Sequence, residues 1–169
     1  MIPELATERL RLRAPRREDF PAYAAFFASD RAVHEGGPFD TRRAWREFCT
    51  AAAGWQLFGF GTWSVTDRAS GAYLGEVGLN WPVEFPEPEL GWTLVPQAEG
   101  KGIAFEAARA ARDWFYANTA HRSLVSYIAP ENARSIRLAE RLGAVRDTQA
   151  PTVDPGDLVF RHPGPEALQ

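Results

Sequence analysis

The 169-residue chain has one cysteine, Cys49, one methionine and three histidines. One thiol cannot close an internal disulfide, and Cys/His metal sites need more ligands than this chain gathers anywhere. The expectation is a reducing, cytoplasmic setting with no metal. No apolar run approaches the roughly 20 residues that span a bilayer. Met1-Ile2-Pro3-Glu4 lacks the basic start and apolar core of a secretory leader. Long runs of one charge are missing too. The formal net charge is −3 and the arginines are scattered, which argues against nucleic-acid and membrane partners. With no repeat and no internal boundary, residues 1–169 are expected to form a single domain, with 163–169 a flexible tail.

What is present is an ordinary globular balance, 45% hydrophobic and 24% charged. A domain of about 150 residues buries roughly 70% of its unfolded surface, enough for one core without staples.

In TERLRLR (7–13), Leu10 and Leu12 alternate with Arg9, Arg11 and Arg13, the pattern of a half-buried strand. Asp19 is placed to cap a helix carrying Pro21, Tyr23, Phe26 and Phe27, which residues 34–38 break. A second helix is expected over 41–53, with Trp45, Phe48, Cys49 and Ala52 as its core stripe and Gly54 as its stop. Strands are expected at 61–66, 72–80 and 89–95, then a helix over 102–117 and a strand over 123–128. A last helix runs from Asn132 to Gly143, before short strands at 144–147 and 158–162. Hairpins beside a strand–helix–strand unit imply an α/β (α+β) fold. Its mixed, mostly antiparallel sheet has six or seven strands and helices on both faces.

The informative stretch is 89–102, ELGWTLVPQAEGKG: a strand runs into a loop that opens a helix. A helix start leaves about four N–H groups free and carries partial positive charge, which suits a phosphate. Gly100 and Gly102 let backbone approach an anion, and Lys101 adds a cation. A plain strand-to-helix turn reads the same. The Walker loop and the dinucleotide fingerprint are both excluded by the glycine spacing and by Gly102 following Lys101.

The wider pattern resembles the GNAT N-acetyltransferase superfamily, and within it the ribosomal-protein-alanine acetyltransferase-like (RimJ/RimL-type) branch. The resemblance rests on TERLRLR with Asp19, GAYLGEVGL (71–79), ELGWTLVPQAEGKGIAFEAARA (89–110), SYIAPENARSIRLAERLGA (126–144) and LVFRHP (158–163). It implies the GNAT fold, with a splay between the fourth and fifth strands, and acetyl-CoA as co-substrate. It places the coenzyme diphosphate on residues 97–102, with backbone N–H donors from Glu99, Gly100, Lys101, Gly102, Ile103 and Ala104. The strand holding Trp92, Leu94 and Val95 is expected to pair with the pantetheine arm. Glu99 departs from the basic or polar residue usual in relatives, so its carboxylate has to turn away from the diphosphate. Asn132 and Ser135 match the family's N-x-x-S motif. Asn132 caps its helix or bonds the pantetheine arm. Ser135 is expected near the coenzyme sulfur as its proton donor, although spacing alone reads as a solvent-facing serine. Arg134 and Arg137 are either solvated helix residues or phosphate contacts.

The implied chemistry is acetyl transfer to a primary amine, which attacks only when neutral. At pH 7, deprotonation costs about 4.6 kcal/mol for an alkyl amine and about 1 kcal/mol for an α-amine. Glu89 is the first candidate for the base, unless it merely ends a strand. Glu76 is the second, if it faces a polar cavity inside. An N–H at Leu94 or Val95 is the candidate oxyanion donor. His34, Trp81 and Phe85 are candidate acceptor walls, near Glu35, Glu84 and Glu87. His121 and His162 carry no catalytic context, and Cys49 reads as core. The acceptor is a small-molecule amine or a protein N-terminus. A homodimer is possible, since relatives often form one. The rival readings are a non-catalytic acyl-CoA-binding regulatory or sensor module and a transferase using a larger acyl donor.

Overall fold

Period-two alternation builds a sheet whose two faces differ in chemistry. The computed structural model describes residues 1–168 and runs β1 (Leu5–Ala6), β2 (Leu10–Arg13), α1 (Phe20–Phe27), α2 (Thr41–Leu57), β3 (Thr62–Asp67), β4 (Tyr73–Asn80), β5 (Glu89–Leu94), α3 (Ile103–Asn118), β6 (Val125–Ile128), α4 (Ala133–Arg141), β7 (Val145–Arg146) and β8 (Leu158–Arg161). The order across the eight-stranded sheet is β1-β2-β3-β4-β5-β6-β8-β7. Every neighbouring pair is antiparallel except β5 with β6. Among the described residues no helix is long and apolar enough to cross a membrane.

One sheet face carries Leu10, Leu12, Trp63, Val65, Val77, Leu79 and Leu90, all at most 1% exposed. They pack against Ile103, Ala107, Ala108, Ala111 and Phe115 of α3. The alanine stripe brings this helix close to the sheet, and each buried Leu or Val contributes about 1.5–3 kcal/mol. The other face presents buried Thr62, Ser64, Thr66 and Glu76 toward α1 and α2. Those helices hold a separate cluster of Tyr23, Phe27, Phe39, Ala44 and Phe48.

Several expectations are corrected. Six or seven strands become eight because the strand expected over 7–13 is the turn and second arm of a hairpin whose first arm is β1, with Leu5 opposite Leu12 and Ala6 opposite Arg11. Its turn is closed by a 3.0 Å bond from the Leu10 N–H to the Thr7 hydroxyl. The Asp19 side chain does not cap α1. It accepts both Arg13 guanidinium nitrogens at 2.7 Å and the Ser64 hydroxyl at 2.8 Å, which satisfies a buried charge on the polar face. Gly54 does not stop α2. A Cβ there would lie 3.3 Å from the Phe60 carbonyl, so this glycine serves the close approach of the chain entering β3. Cys49 is exposed rather than core. The buried stripe of α2 falls on Ala44 and Phe48, one residue away, and leaves Trp45 42% exposed. In the expected tail, Pro165–Leu168 form a 3-10 turn and Glu166 pairs with Arg122 at 2.9 Å. Gln169 lies outside the described residues.

Candidate active site

The gap between β5 and β6 organises the site. Their register is one residue pair, Glu89 with Val125. The Val95 N–H bonds the Leu74 carbonyl at 3.0 Å, toward β4. N–H directions alternate along a strand, so the main-chain groups of Trp92 and Leu94 point the other way, into the gap. This removes Val95 as an oxyanion donor and leaves Leu94. The open edge then meets a 3-10 turn, Pro96–Ala98, and a loop where Gly100 (φ 71°) and Gly102 (φ 75°) take left-handed conformations. The first backbone bond of α3 runs from the Glu106 N–H to the Gly102 carbonyl. The N–H groups of Ile103, Ala104 and Phe105 therefore have no helical acceptor.

A groove of about 1040 Å3 follows this edge and loop, lined by Trp92, Leu94, Glu99, Gly100, Gly102, Ile103, Ala104, Asn132, Ser135 and His34 among others. Sequence reasoning named all ten. The Glu99 N–H bonds the Pro96 carbonyl at 3.3 Å, which takes it out of the donor set. Lys101 is exposed and does not line the groove. Its carbonyl accepts from Arg9 at 2.8 Å, which ties the loop to β2 from behind. The Glu99 carboxylate pairs with Arg134 at 2.8 Å and with Arg31, so its charge is offset at the groove.

Reasoning from the sequence left Arg134 and Arg137 open between solvated residues and phosphate contacts, and missed Arg31 and Arg141. Arg31, Arg134, Arg137 and Arg141 line the groove, with the Arg141 guanidinium 4.9 Å from the Phe105 ring centre. The available signal was the three- and four-residue spacing of the α4 arginines, which puts them on one helix face.

Across the gap, the Trp92 indole N–H donates to the Ser135 hydroxyl at 3.2 Å. Asn132 caps α4, its carbonyl oxygen accepting the Ser135 N–H at 3.2 Å. Ser135 is thus fixed at the first turn of α4, facing β5.

Glu89 is half-buried at the closed end of the gap and accepts from the Asn80 amide at 3.1 Å. Burial pushes its carboxyl up to about 7, Asn80 and the Tyr127 N–H work against that rise, and the charge of Asp157 adds to it. The Glu35 carboxyl is raised by desolvation at the groove wall and by the charges of Glu89 and Asp157. Glu76 is 8% exposed beneath α1, its Oε1 has no partner among the described residues, and burial pushes it up to about 8. It does not line the groove, although its cross-strand neighbour Thr93 does.

Two expected acceptor walls lie elsewhere. The Trp81 ring packs 5.2 Å from His121 and 6.2 Å from Phe58, and Phe85 stacks edge-on against Tyr127 at 5.2 Å. Neither reaches the groove. The groove is lined instead by residues of the 3-10 turn Asp30–Glu35, with His34 exposed there.

Comparison with known proteins agrees with this geometry. The sequence profile of the Acetyltransferase (GNAT) domain family matches residues 9–145. An acetyltransferase from Agrobacterium tumefaciens is 45% identical, with 96% of this chain and 95% of that one covered and a TM-score of 0.93. The YkkB protein of Bacillus subtilis (strain 168) is 29% identical over 83% of this chain and 84% of its own. The spermidine N-acetyltransferase of Vibrio cholerae, solved with CoA and spermine, is 19% identical over 92% of this chain and 94% of that one, with a TM-score of 0.72.

Proposed function

Because the chain belongs to the GNAT acetyltransferase family, we propose that it moves the acetyl group of acetyl-CoA to a primary amine by direct attack. The acceptor is a protein N-terminal α-amine or a small-molecule amine. One observation carries the reading: the open β5 edge runs straight into unpaired amides at the start of the 16-residue α3, under a rim of arginines. An extended diamide arm ending in a diphosphate fits both parts of that surface.

When bound, acetyl-CoA supplies an activated acyl thioester. The protein's own groups do the rest. Leu94 offers its N–H to the acyl oxygen in the gap. Five strand residues, about 16 Å, separate Glu89 from Leu94, so Glu89 accepts the proton of the incoming ammonium through intervening water. With its carboxyl near 7, that transfer costs about 1 kcal/mol from an α-amine and about 4.6 kcal/mol from an alkyl amine. Ser135 already accepts from Trp92, so its hydroxyl hydrogen is available to the departing sulfur.

The test is an amine panel with acetyl-CoA, read as free thiol released. Turnover with an α-amine supports the proposal. Acetyl-CoA binding with no turnover across the panel favours a regulatory binding module. A folded protein that binds neither CoA nor acetyl-CoA refutes both.

A further inference from the structure

A parallel ladder repeats every two residues on each strand. The Val125 N–H bonds the Pro88 carbonyl at 3.1 Å beside the Glu89–Val125 pair. The next rung would therefore join the Tyr127 N–H to the Leu90 carbonyl. It is not formed, since the register ends at the Glu89–Val125 pair, and a side chain occupies the Leu90 carbonyl. The Ser126 hydroxyl donates to the Leu90 carbonyl at 2.6 Å. The Tyr127 N–H lies near enough to the Glu89 carboxylate to favour its charged form. The Leu90 carbonyl is therefore not left unpaired where the strands part.

Ser126 is 2% exposed and His162 3% exposed, so both act from below the gap rather than inside it. The Ser126 oxygen lies 3.0 Å from His162 Nε2. Its one hydrogen is committed to Leu90, so it accepts from the imidazole and selects the Nε2–H tautomer. The His162 main-chain N–H is anchored to the Leu124 carbonyl at 2.9 Å. Burial, helped by Arg112, lowers the imidazole to about 3 and keeps it neutral.

We propose that Ser126, oriented by His162, is a positioning residue that holds the β5–β6 gap open for the pantetheine arm by occupying the Leu90 carbonyl. This rests on the reading that the gap receives the coenzyme. Without the hydroxyl, the Tyr127 N–H turns from Glu89 to Leu90, and the strands close by one rung.

The experiment combines calorimetry with CoA, without any acyl transfer, and NMR of the Glu89 carboxyl and the Tyr127 amide. Glu35 and Asp157 face the same carboxylate and are left unchanged. Ser126→Ala is expected to weaken CoA binding at least tenfold and to raise the Glu89 midpoint. Ser126→Thr is expected to restore both. Wild-type CoA affinity together with an unmoved Glu89 midpoint in folded Ser126→Ala would overturn the proposal. The wild-type protein provides an independent check, since its Tyr127 amide shift is expected to follow the Glu89 titration. A Tyr127 amide blind to that titration would overturn the proposal whether or not the variant folds. A protein that fails to bind CoA at all would sink the functional reading, while the NMR arms would still decide whether Ser126 and Glu89 hold the rung apart.

Discussion

Removing the Asn80 amide tests Glu89 as the base without touching Glu89. Asn80 donates to the Glu89 carboxylate at 3.1 Å and is itself oriented by the Thr62 hydroxyl at 3.4 Å. A hydrogen bond to a charged group is worth about 1.5–3 kcal/mol. At about 1.4 kcal/mol per pH unit, Asn80→Ala shifts the carboxyl upward by about one to two units. The wild-type carboxyl titrates near 7, so the acid limb of kcat/KM is expected to move to roughly pH 8–9. At pH 7, where the wild-type carboxyl is half ionised, the variant loses about five- to fiftyfold, and above pH 9 it approaches the wild-type plateau. Glu89→Gln is expected to lose about 10²–10⁴ at every pH and to show no such limb. The assay is initial rate of thiol release between pH 5.5 and 9.5 with one α-amine acceptor. A folded Asn80→Ala enzyme whose limb stays near pH 7 refutes Glu89 as the titrating group.

Gly100 has open space around any added Cβ and a φ of +71°. Gly100→Ala is expected to cost only the left-handed penalty of about 1–2 kcal/mol in stability. Gly100→Glu adds a carboxylate beside the loop amides and is expected to weaken CoA binding about a hundredfold or more, by calorimetry. Equal affinities for the two variants would remove the diphosphate from this loop. Ser135→Ala is expected to lower kcat with little change in acetyl-CoA KM, and wild-type kcat would rule out its acid role. Glu76 should register in stability against pH. Its folded carboxyl is raised to about 8, so the fold holds a proton that the unfolded chain releases above about 4.5. Its contribution to wild-type stability is then greatest below that value and falls until about pH 8, by a few kcal/mol. Glu76→Gln is expected to flatten this fall in denaturant titrations, and an identical slope would place the titration elsewhere.

Much of the site was legible because its parts are contiguous. The β5 strand, the glycine loop and α3 follow one another between Glu89 and Asn118, so local rules for strands, turns and helix starts describe them. The N-x-x-S step puts Asn132 and Ser135 within one helical turn for the same reason. Errors arose where period alone was ambiguous. Alternation over Thr7 to Arg13 suits one strand or the arm of a hairpin. A helical stripe through Phe48 can include Cys49 or Ala44, and only packing against α1 chose Ala44. The loop 81–88 has no period at all, and nothing in it foretold that Trp81 would turn to His121 and Phe85 to Tyr127.

By itself the sequence determined the elements that local physics controls: a glycine loop at a helix start, apolar alternation in β3, β4 and β5, and the alanine stripe of α3. Tertiary structure alone decided which groups face one another across the gap. It turned Glu99 toward Arg31 and Arg134, gathered arginines from a 3-10 turn and from α4 on one rim, and matched Ser126 to the Leu90 carbonyl. The reason is range. Propensity and period act over a few residues, whereas each of these contacts joins residues at least 35 positions apart in the chain, and only strand register and helix docking can bring them together.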